Sequence, residues 1–192
     1  MAKEPELRTD LADLLCERSV KTGDFELASG KTASVYVDVK KTVLTGHGAT
    51  LVGRGLWQLV QHASAEASGV GGLTLGADPL VTAISMAAWE EGRDLAAVIV
   101  RKEAKGHGTQ QYLERPDSLS EGDEVVAIDD VITTGGSTLD AIERMRDAGL
   151  VVRHAVCVVD REDVGAERLA EAGVEMHRLF TLSELLEFSG QK

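Results

Sequence analysis

From residue 70 onward, short runs of aliphatic residues alternate with segments whose apolar residues recur at helical spacing. The aliphatic runs predict strands over residues 70–76, 95–100, 124–128, 151–159 and 176–180. The segments between them predict helices over residues 79–90 and 137–148 and near Glu167, with Asp78 as the N-cap of the first and Gly149 ending the second. Continuous aliphatic strands separated by helices predict an α/β fold with a parallel sheet covered on both faces. Ligands of such sheets bind beyond the carboxyl ends of the strands.

The first 65 residues follow a different pattern. Leucines at helical spacing predict an amphipathic helix over residues 6–18, and a second apolar pattern predicts a helix over residues 48–65. Between them, Val35, Val37 and Val39 alternate with Tyr36 and Asp38, which is typical of a half-buried strand. A chain of 192 residues is expected to form one domain.

The composition narrows the classes of function. A net charge of −12 disfavours a nucleic-acid binder held by its global field, because phosphate backbones require concentrated Lys and Arg. The N-terminus MAKEPELRTD has no apolar core of a signal peptide, and no aliphatic run is long enough to cross a bilayer. Two cysteines are too few for a disulfide framework, so we expect a cytoplasmic protein. No His/Cys cluster has ligand spacing, so no structural zinc is predicted.

The segment VVAIDDVITTGGSTLD, residues 125–140, holds the strongest functional signal. Asp129 and Asp130 fall at the carboxyl end of a predicted central strand, and residues 133–137 lead into a helix N-terminus. Gly135 and Gly136 can take positive φ, and free backbone N–H groups with Thr and Ser hydroxyls form an anion site there. The carboxylates suit sugar hydroxyls or hydrated Mg²⁺. The segment therefore predicts a phosphosugar site.

Other interpretations of this segment remain open on these residues alone. A βα turn with an Asp cap and glycines is common, and paired aspartates also occur in phospho-acceptor receiver domains. Neither GxGxxG nor GxxxxGK[ST] spacing is present, so neither a dinucleotide-binding fold nor a P-loop is supported.

A second signal is the basic segment VRKEAKGHGTQQYLE, residues 100–114. Arg101, Lys102, Lys105 and His107 lie within seven residues of an otherwise acidic chain, directly after a predicted strand. Such a cluster alone is often solvated surface. Beside a phosphosugar site, a mobile basic loop would stabilise the charge on a departing pyrophosphate and exclude water.

These segments resemble a known family. IDDVITTGG resembles the phosphoribosyl-pyrophosphate (PRPP) binding motif of type I phosphoribosyltransferases, and RKEAKGHG resembles the lid of the orotate phosphoribosyltransferases. FELASGKTASVYVD resembles the N-terminal segment that encloses orotate in that family, and VVDRED, residues 158–163, resembles the strand end where an Arg meets the orotate carboxylate. The likeness extends from about residue 6 to residue 190.

The resemblance implies a fold and a reaction. The fold is a type I phosphoribosyltransferase-like central parallel sheet flanked by helices, with a small N-terminal hood. An N-terminal helix and the hood elements occupy about residues 1–65, and the PRPP-binding core occupies about residues 66–192 of a single domain. The reaction converts orotate and PRPP to orotidine 5′-phosphate and pyrophosphate, with Mg²⁺, in pyrimidine (UMP) biosynthesis. It passes through an oxocarbenium-like transition state. A homodimer whose lid reaches into the neighbouring subunit's site is also implied.

The resemblance also implies roles for particular residues. The catalytic set is Lys105, His107, Asp129 and Asp130, with the two aspartates on the ribose hydroxyls and the hydration shell of the metal. PRPP binding extends over Arg101, Lys102, Lys105, His107, Asp129, Asp130, Val131, Ile132, Thr133, Thr134, Gly135, Gly136 and Ser137. Orotate is expected to face Tyr36, Thr133 and Arg161, whose planar guanidinium suits a carboxylate.

Two departures and two alternatives accompany this interpretation. The loop LGADPLVTA lacks the Tyr-Lys pair that helps many bacterial members bind pyrophosphate, so backbone groups near Ala77 and Asp78 would have to replace it. Ala28 stands where some members have Lys.

A purine phosphoribosyltransferase of the same fold is one alternative, because fold does not fix the base. A PRPP-sensing regulator that binds RNA or DNA is the other, and the net charge of −12 disfavours it.

Overall fold

Helices and strands alternate along the chain in this computed structural model, which describes residues 4–26, 32–103 and 112–190. In chain order the elements are α1 (Glu4–Arg18), β1 (Val20–Glu26), β2 (Thr32–Val37), α2 (Lys40–Val43), α3 (Gly46–Ala63), β3 (Gly69–Leu73), α4 (Asp78–Glu90), β4 (Ala96–Val100), β5 (Leu113–Glu114), β6 (Val125–Ile132), α5 (Gly136–Asp147), β7 (His154–Asp160), α6 (Gly165–Glu171), β8 (Glu175–Thr181) and α7 (Leu182–Phe188). No helix in the described ranges is both long and apolar enough to span a membrane.

The aliphatic runs form a six-stranded sheet in the order β5-β4-β3-β6-β7-β8. Five of the strands are parallel, as predicted, and the two-residue β5 pairs antiparallel with β4 at the edge. The chain leaves β3 toward β4 on one side, whereas it continues from β6 toward β7 and β8 on the other. The strand order therefore reverses between β3 and β6, and this reversal opens a crevice at their carboxyl ends.

The sheet is covered on both faces, as the continuous aliphatic strands predict. Alternate residues of β6 belong to two different hydrophobic clusters: Val126 and Ile128 pack with α3 and α4, while Val125 and Ala127 pack with α5. Two glycines of β3 allow close approach, since a Cβ at Gly72 would lie 2.1 Å from the carbonyl oxygen of Ile128. The central strands are thus fixed on both sides, and their ends provide a rigid support for the loops.

The N-terminal residues form a hairpin outside the main sheet. Strands β1 and β2 pair antiparallel, with Val20 opposite Val37, and the register shifts between Thr22 and Phe25. We call this hairpin, β1 with β2, the hood. The backbone N–H of Asp38 donates to the carbonyl oxygen of Ser19, which closes the base of the hood next to α2.

Three sequence predictions need correction. Strand β6 is longer than residues 124–128, because its second half pairs with β7 as far as Ile132 beside Asp160. Strand β3 ends at Leu73 rather than at residue 76, since the chain turns away from the sheet after Thr74 donates to Val100. Asp78 is not an N-cap: Ala77 occupies that position without a side-chain bond, and the Asp78 carboxylate accepts a hydrogen bond from the Thr74 hydroxyl at 2.7 Å.

Candidate active site

Three loops meet at the carboxyl ends of the strands, near the point where the strand order reverses. They follow β3, β6 and β7, and they contain residues 74–77, 133–135 and 161–164. Parallel strands deliver all three loops to one edge, so side chains that are up to 90 residues apart in sequence come together there.

Asp129 is the buried member of the aspartate pair, with 7% of its surface exposed. One carboxylate oxygen accepts from the backbone N–H of Asp130 at 2.9 Å, and the other accepts from the hydroxyls of Ser137 at 2.9 Å and Thr138 at 2.7 Å. Burial raises the pKa of Asp129 from 3.8 to about 6; the bonds from Thr138 and Ser137 oppose this shift, and the charge of Asp130 adds to it. Asp129 therefore fixes the start of α5 against the end of β6.

Asp130 is the accessible member of the pair, and it has a partner that the sequence analysis missed. Lys40, in α2, places its ammonium 3.2 Å from the Asp130 carboxylate and 2.9 Å from that of Asp38. Burial lowers the pKa of Lys40, but hydrogen bonds and charge from Asp38 and Asp130 outweigh burial and raise it overall. Nothing in the sequence pairs residues 40 and 130, because only the tertiary fold brings α2 to the end of β6.

The turn between β6 and α5 presents open backbone donors. Gly135 takes the left-handed conformation with φ +72°, as expected, whereas Gly136 is already the first helical residue. Among the described residues, Leu139 is the first of this helix whose N–H reaches a backbone acceptor, the carbonyl of Gly135. The preceding N–H groups and the positive end of a 12-residue helix form an anion-binding concavity.

This turn is held from behind by α6. Arg168 donates to the carbonyl oxygen of Thr134 at 2.6 Å. A Cβ at Gly165 would lie 2.7 Å from the carbonyl oxygen of Thr133, so the two backbones are in direct contact. These contacts hold the backbone of residues 133–135 against α6.

The loop after β3 forms the opposite wall. A Cβ at Gly76 would lie 2.7 Å from the Asp130 carboxylate, so this loop packs directly against the pair. The N–H of Ala77 donates to Leu73, whereas those of Leu75, Gly76 and Asp78 have no backbone acceptor in the described part of the chain. Of the two residues singled out from the sequence, Asp78 therefore has a free backbone donor and Ala77 does not.

Two carboxylates at this site have oxygen atoms that could bind Mg²⁺. Asp130 is partly exposed, and one oxygen of Asp78 is buried without a hydrogen-bond partner. Mg²⁺ is commonly held by one or two carboxylates together with waters and substrate phosphates. The carboxylates of Asp130 and Asp78 are donors of the kind that fit this ion.

Arg161 and Tyr36 connect the hood to this edge. The backbone N–H of Arg161 donates to Ile132, and its guanidinium donates to the carbonyl oxygen of Val35 in β2 at 3.3 Å. Tyr36, the next residue of β2, is 42% exposed, and its ring centroid lies 5.6 Å from that of Phe25. The structure thus brings Arg161 to the hood strand that carries Tyr36.

The structure describes the two ends of the basic segment, residues 100–103 and 112–114. The guanidinium of Arg101 forms an ion pair with Glu114 at 2.7 Å, and Lys102 is exposed. Arg144 donates to the carbonyl oxygen of Arg101, which fixes the end of β4. Lys105 and His107 lie outside the described residues, as does Ala28, so their predicted roles remain predictions.

Comparison with known proteins adds to this geometry. The phosphoribosyl transferase domain family matches residues 48–173. The chain is 45% identical over 179 residues to the orotate phosphoribosyltransferase of Nostoc sp., covering 93% of this chain and 85% of that protein. It is 46% identical over 180 residues to that of Thermosynechococcus vestitus, covering 94% and 93%. A crystal structure of Mycobacterium tuberculosis orotate phosphoribosyltransferase in complex with PRPP superposes with a TM-score of 0.77 at 33% identity, covering 93% of this chain and 98% of that one.

Proposed function

This chain belongs to the orotate phosphoribosyltransferases, within the phosphoribosyl transferase domain family, and on that premise we propose how its site performs the reaction. The protein transfers the phosphoribosyl group of PRPP to orotate, giving orotidine 5′-phosphate and pyrophosphate in pyrimidine biosynthesis. One observation carries the assignment of the site: a fixed aspartate pair stands next to an open row of backbone donors at a helix N-terminus.

We propose that the turn of residues 133–137 binds the 5′-phosphate of PRPP; Val131 and Ile132, also expected there, lie in β6, and the Val131 N–H donates to the Asp130 carboxylate. Its open N–H groups supply several donors at a positive helix end, and the hydroxyls of Thr133, Thr134 and Ser137 add others. The single donor hydrogen of the Ser137 hydroxyl is directed to Asp129 in the free protein, so donation to the phosphate would require that bond to be exchanged. Phosphate binding is therefore coupled to the position of the aspartate pair.

Asp130 is proposed to contact the ribose hydroxyls and, through waters, the metal. Asp129 holds the turn and β6 in place and adds a second negative charge. Lys40 neutralises Asp130 in the free protein, and Asp130 can exchange this ion pair for ligand contacts because Lys40 retains Asp38 as a second partner. Mg²⁺, bound with PRPP, would neutralise pyrophosphate charge. A positive ribose centre in the transition state is stabilised by the nearby carboxylates.

The leaving pyrophosphate is proposed to lie between the loop after β3 and the basic segment. The free N–H groups of Leu75, Gly76 and Asp78 face it from the loop after β3, which replaces the Tyr-Lys pair with backbone donors. Lys105 and His107, with Arg101 and Lys102 assisting, are proposed to cover it from the other side. Arg101 would have to leave Glu114 to do so.

Orotate is proposed to bind between the hood and the end of β7. Arg161 would bind its carboxylate, Tyr36 would cover the ring and Thr133 would contact its edge. The guanidinium uses only one of its nitrogens for Val35, so donors remain for a carboxylate. This arrangement aligns the nucleophilic nitrogen of orotate with the anomeric carbon of PRPP.

The base specificity is tested by measuring pyrophosphate release with PRPP and Mg²⁺ and one of four bases: orotate, adenine, hypoxanthine or uracil. We expect release with orotate alone, because the other three carry no carboxylate for Arg161. Turnover with adenine or hypoxanthine would favour the purine enzyme of the same fold. PRPP binding without any release would favour the regulator.

The role of the lid is tested by Lys105→Ala. We expect a large fall in kcat with PRPP binding partly retained, since the lysine acts mainly on charge that develops in the transition state. Lys41→Ala, which removes an exposed lysine from α2, is the matched control and should keep wild-type turnover. Undiminished turnover of the Lys105 variant would remove the lid from the mechanism.

We further propose a homodimer with lids exchanged between subunits. Leu75 beside the site and Met86 and Trp89 on α4 are large apolar side chains that are 73%, 67% and 68% exposed, which suits a contact surface. Mixing inactive Lys105→Ala and Asp130→Asn chains tests the exchange. A mixed dimer regains one complete site only if the lid acts across the interface, so activity should return to about a quarter of wild type. No recovery after confirmed mixing would place the lid in its own subunit's site.

Two coarser assignments accompany this proposal. The chain is proposed to act as one domain, with the N-terminal helix and hood elements at about residues 1–65 and the PRPP-binding core at about residues 66–192. A cytoplasmic location is proposed because PRPP is highly charged and does not cross bilayers unaided; cell fractionation would test it.

A further inference from the structure

Three side chains of types that can bind metal ions meet at the amino ends of the strands, at the end of the sheet opposite the candidate active site. His154 is the first residue of β7, and Glu175 and His177 lie at the start of β8. Asp160, at the carboxyl end of β7, is six residues from His154, so the two ends of this strand are about 20 Å apart. The cluster is therefore separate from the proposed phosphoribosyl transfer site.

The register of β7 and β8 creates this cluster. His154 is the direct neighbour of Glu175, and His177 lies two residues further along β8, on the same face as Glu175. The Nδ1 atom of His154 and the Nε2 atom of His177 are 3.4 Å apart. The two oxygens of Glu175 lie 3.9 Å from His154 Nδ1 and 3.8 Å from His177 Nε2.

These distances match a tetrahedral metal site. Two nitrogens bound to zinc at their usual distance in a tetrahedron are about 3.3 Å apart. The imidazole nitrogens already have this separation, and Glu175, whose side chain is 70% exposed, needs only a small movement to bring an oxygen to the same ion. Two imidazoles and one carboxylate form a ligand set for Zn²⁺ and its transition-metal neighbours rather than for Mg²⁺.

The surroundings leave one position of the site open. The two imidazole side chains are 19% and 15% exposed, so they are held by packing while their nitrogens remain reachable. His62, in the last turn of α3, lies edge-on to His177 with a centroid distance of 6.1 Å. Water can supply the fourth ligand.

We propose that His154, Glu175 and His177 bind one Zn²⁺ or similar divalent transition-metal ion per chain. The ion would join the outermost strand β8 to β7 and so stabilise this edge of the sheet. Ligand spacing in the sequence predicted no structural zinc, because the ligands come from two strands and only Glu175 and His177 are close in sequence. The competing arrangement is a simple N–H···N bond between the imidazoles, without a metal.

The test is isothermal titration of tag-free protein with Zn²⁺ in excess Mg²⁺. We expect one equivalent of zinc to bind, and thermal unfolding to shift upward with zinc concentration, because the ion binds the folded chain. Glu175→Gln should weaken zinc binding by at least about tenfold, since even the loss of an outer-shell partner costs ~10–100-fold. A His154→Gln/His177→Gln double variant should abolish it. Cobalt should give the intense visible absorption of a tetrahedral site.

His47→Ala is the matched control, because it removes an exposed histidine near the start of α3. It should bind zinc as the wild type does. Zinc binding that is absent in the wild type, or unchanged in the double variant, would overturn the proposal. If the double variant does not fold, Glu175→Gln decides alone, because its exposed side chain contributes little to packing: wild-type affinity in that variant would also overturn it.

Discussion

The buried carboxyl group of Asp129 makes a quantitative prediction about stability. Its pKa rises from 3.8 to about 6 in the folded protein, mainly because burial disfavours the charged form. At about 1.4 kcal/mol per factor of ten, ionising Asp129 therefore costs about 3 kcal/mol more in the folded than in the unfolded chain. Between the two pKa values the folded state binds more protons, so this group makes the protein less stable as pH rises from 4 to above 6.

Asp129→Asn removes this ionisation while keeping the shape of the side chain. The amide oxygen can still accept from the backbone N–H of Asp130, and the hydroxyls of Ser137 and Thr138 can rotate to accept from the amide nitrogen. The free energies of unfolding of the variant and the wild type will also differ by an amount that does not depend on pH, because the hydrogen bonds are altered. The pH-dependent part of that difference isolates the ionisation of Asp129.

The assay is urea unfolding of both proteins at one protein concentration between pH 4 and pH 8. We expect the free energy of unfolding of the variant, minus that of wild type, to increase by about 2–3 kcal/mol over this range. Asp140→Asn, which removes an exposed carboxylate from the same helix, corrects for the change in net charge. A difference that is constant within about 0.5 kcal/mol, or that falls with pH, would refute the claim that burial dominates at Asp129.

Three further predictions concern the proposed site and are read from steady-state kinetics with varied PRPP. Gly76→Ala pushes a methyl group against the Asp130 carboxylate, so kcat/KM should fall about 10–100-fold, while Gly46→Ala, with no atom within 4 Å of the added Cβ, should leave it unchanged. Lys40→Met leaves the negative charges of Asp38 and Asp130 uncompensated beside the anionic substrate, so it should raise the KM for PRPP. It should change the free energy of unfolding by no more than about 1 kcal/mol, because its ion pairs are partly exposed; a loss of several kcal/mol would make it a folding residue instead. Arg168→Ala should raise the same KM about fivefold, because the turn loses its hydrogen bond from Arg168 to the Thr134 carbonyl. An unchanged KM would show that the turn keeps its shape without this bond.

The sequence predicted the central sheet well because its signal is local. The aliphatic run at residues 151–159 and the helical spacing at residues 137–148 each identify their own element, and they correspond to β7 and α5. Parallel topology then places the ends of β6 and β7 together without further information. Gly149 ends its helix with φ +83°, as predicted, since only local backbone geometry is involved.

The contacts between distant segments could not be predicted in the same way. The ion pair of Lys40 with Asp130 joins residues 90 positions apart, and no periodicity in either segment indicates it. The cluster of His154 with His177 depends on the register of β7 against β8, which one residue of slip would destroy. Strand β5 has only two residues, too few for an alternating pattern. These features follow from tertiary packing, whereas the strand and helix signals do not.

The hydrogen bond from Arg161 to Val35 links the N-terminal hairpin to the proposed binding of the base. One guanidinium both contacts the hairpin and is the proposed partner of the orotate carboxylate. Lysine has one ammonium in place of the planar set of donors, so Arg161→Lys would weaken the contact with the hairpin and the binding of the carboxylate together. A change at this position therefore cannot alter one of the two interactions without altering the other.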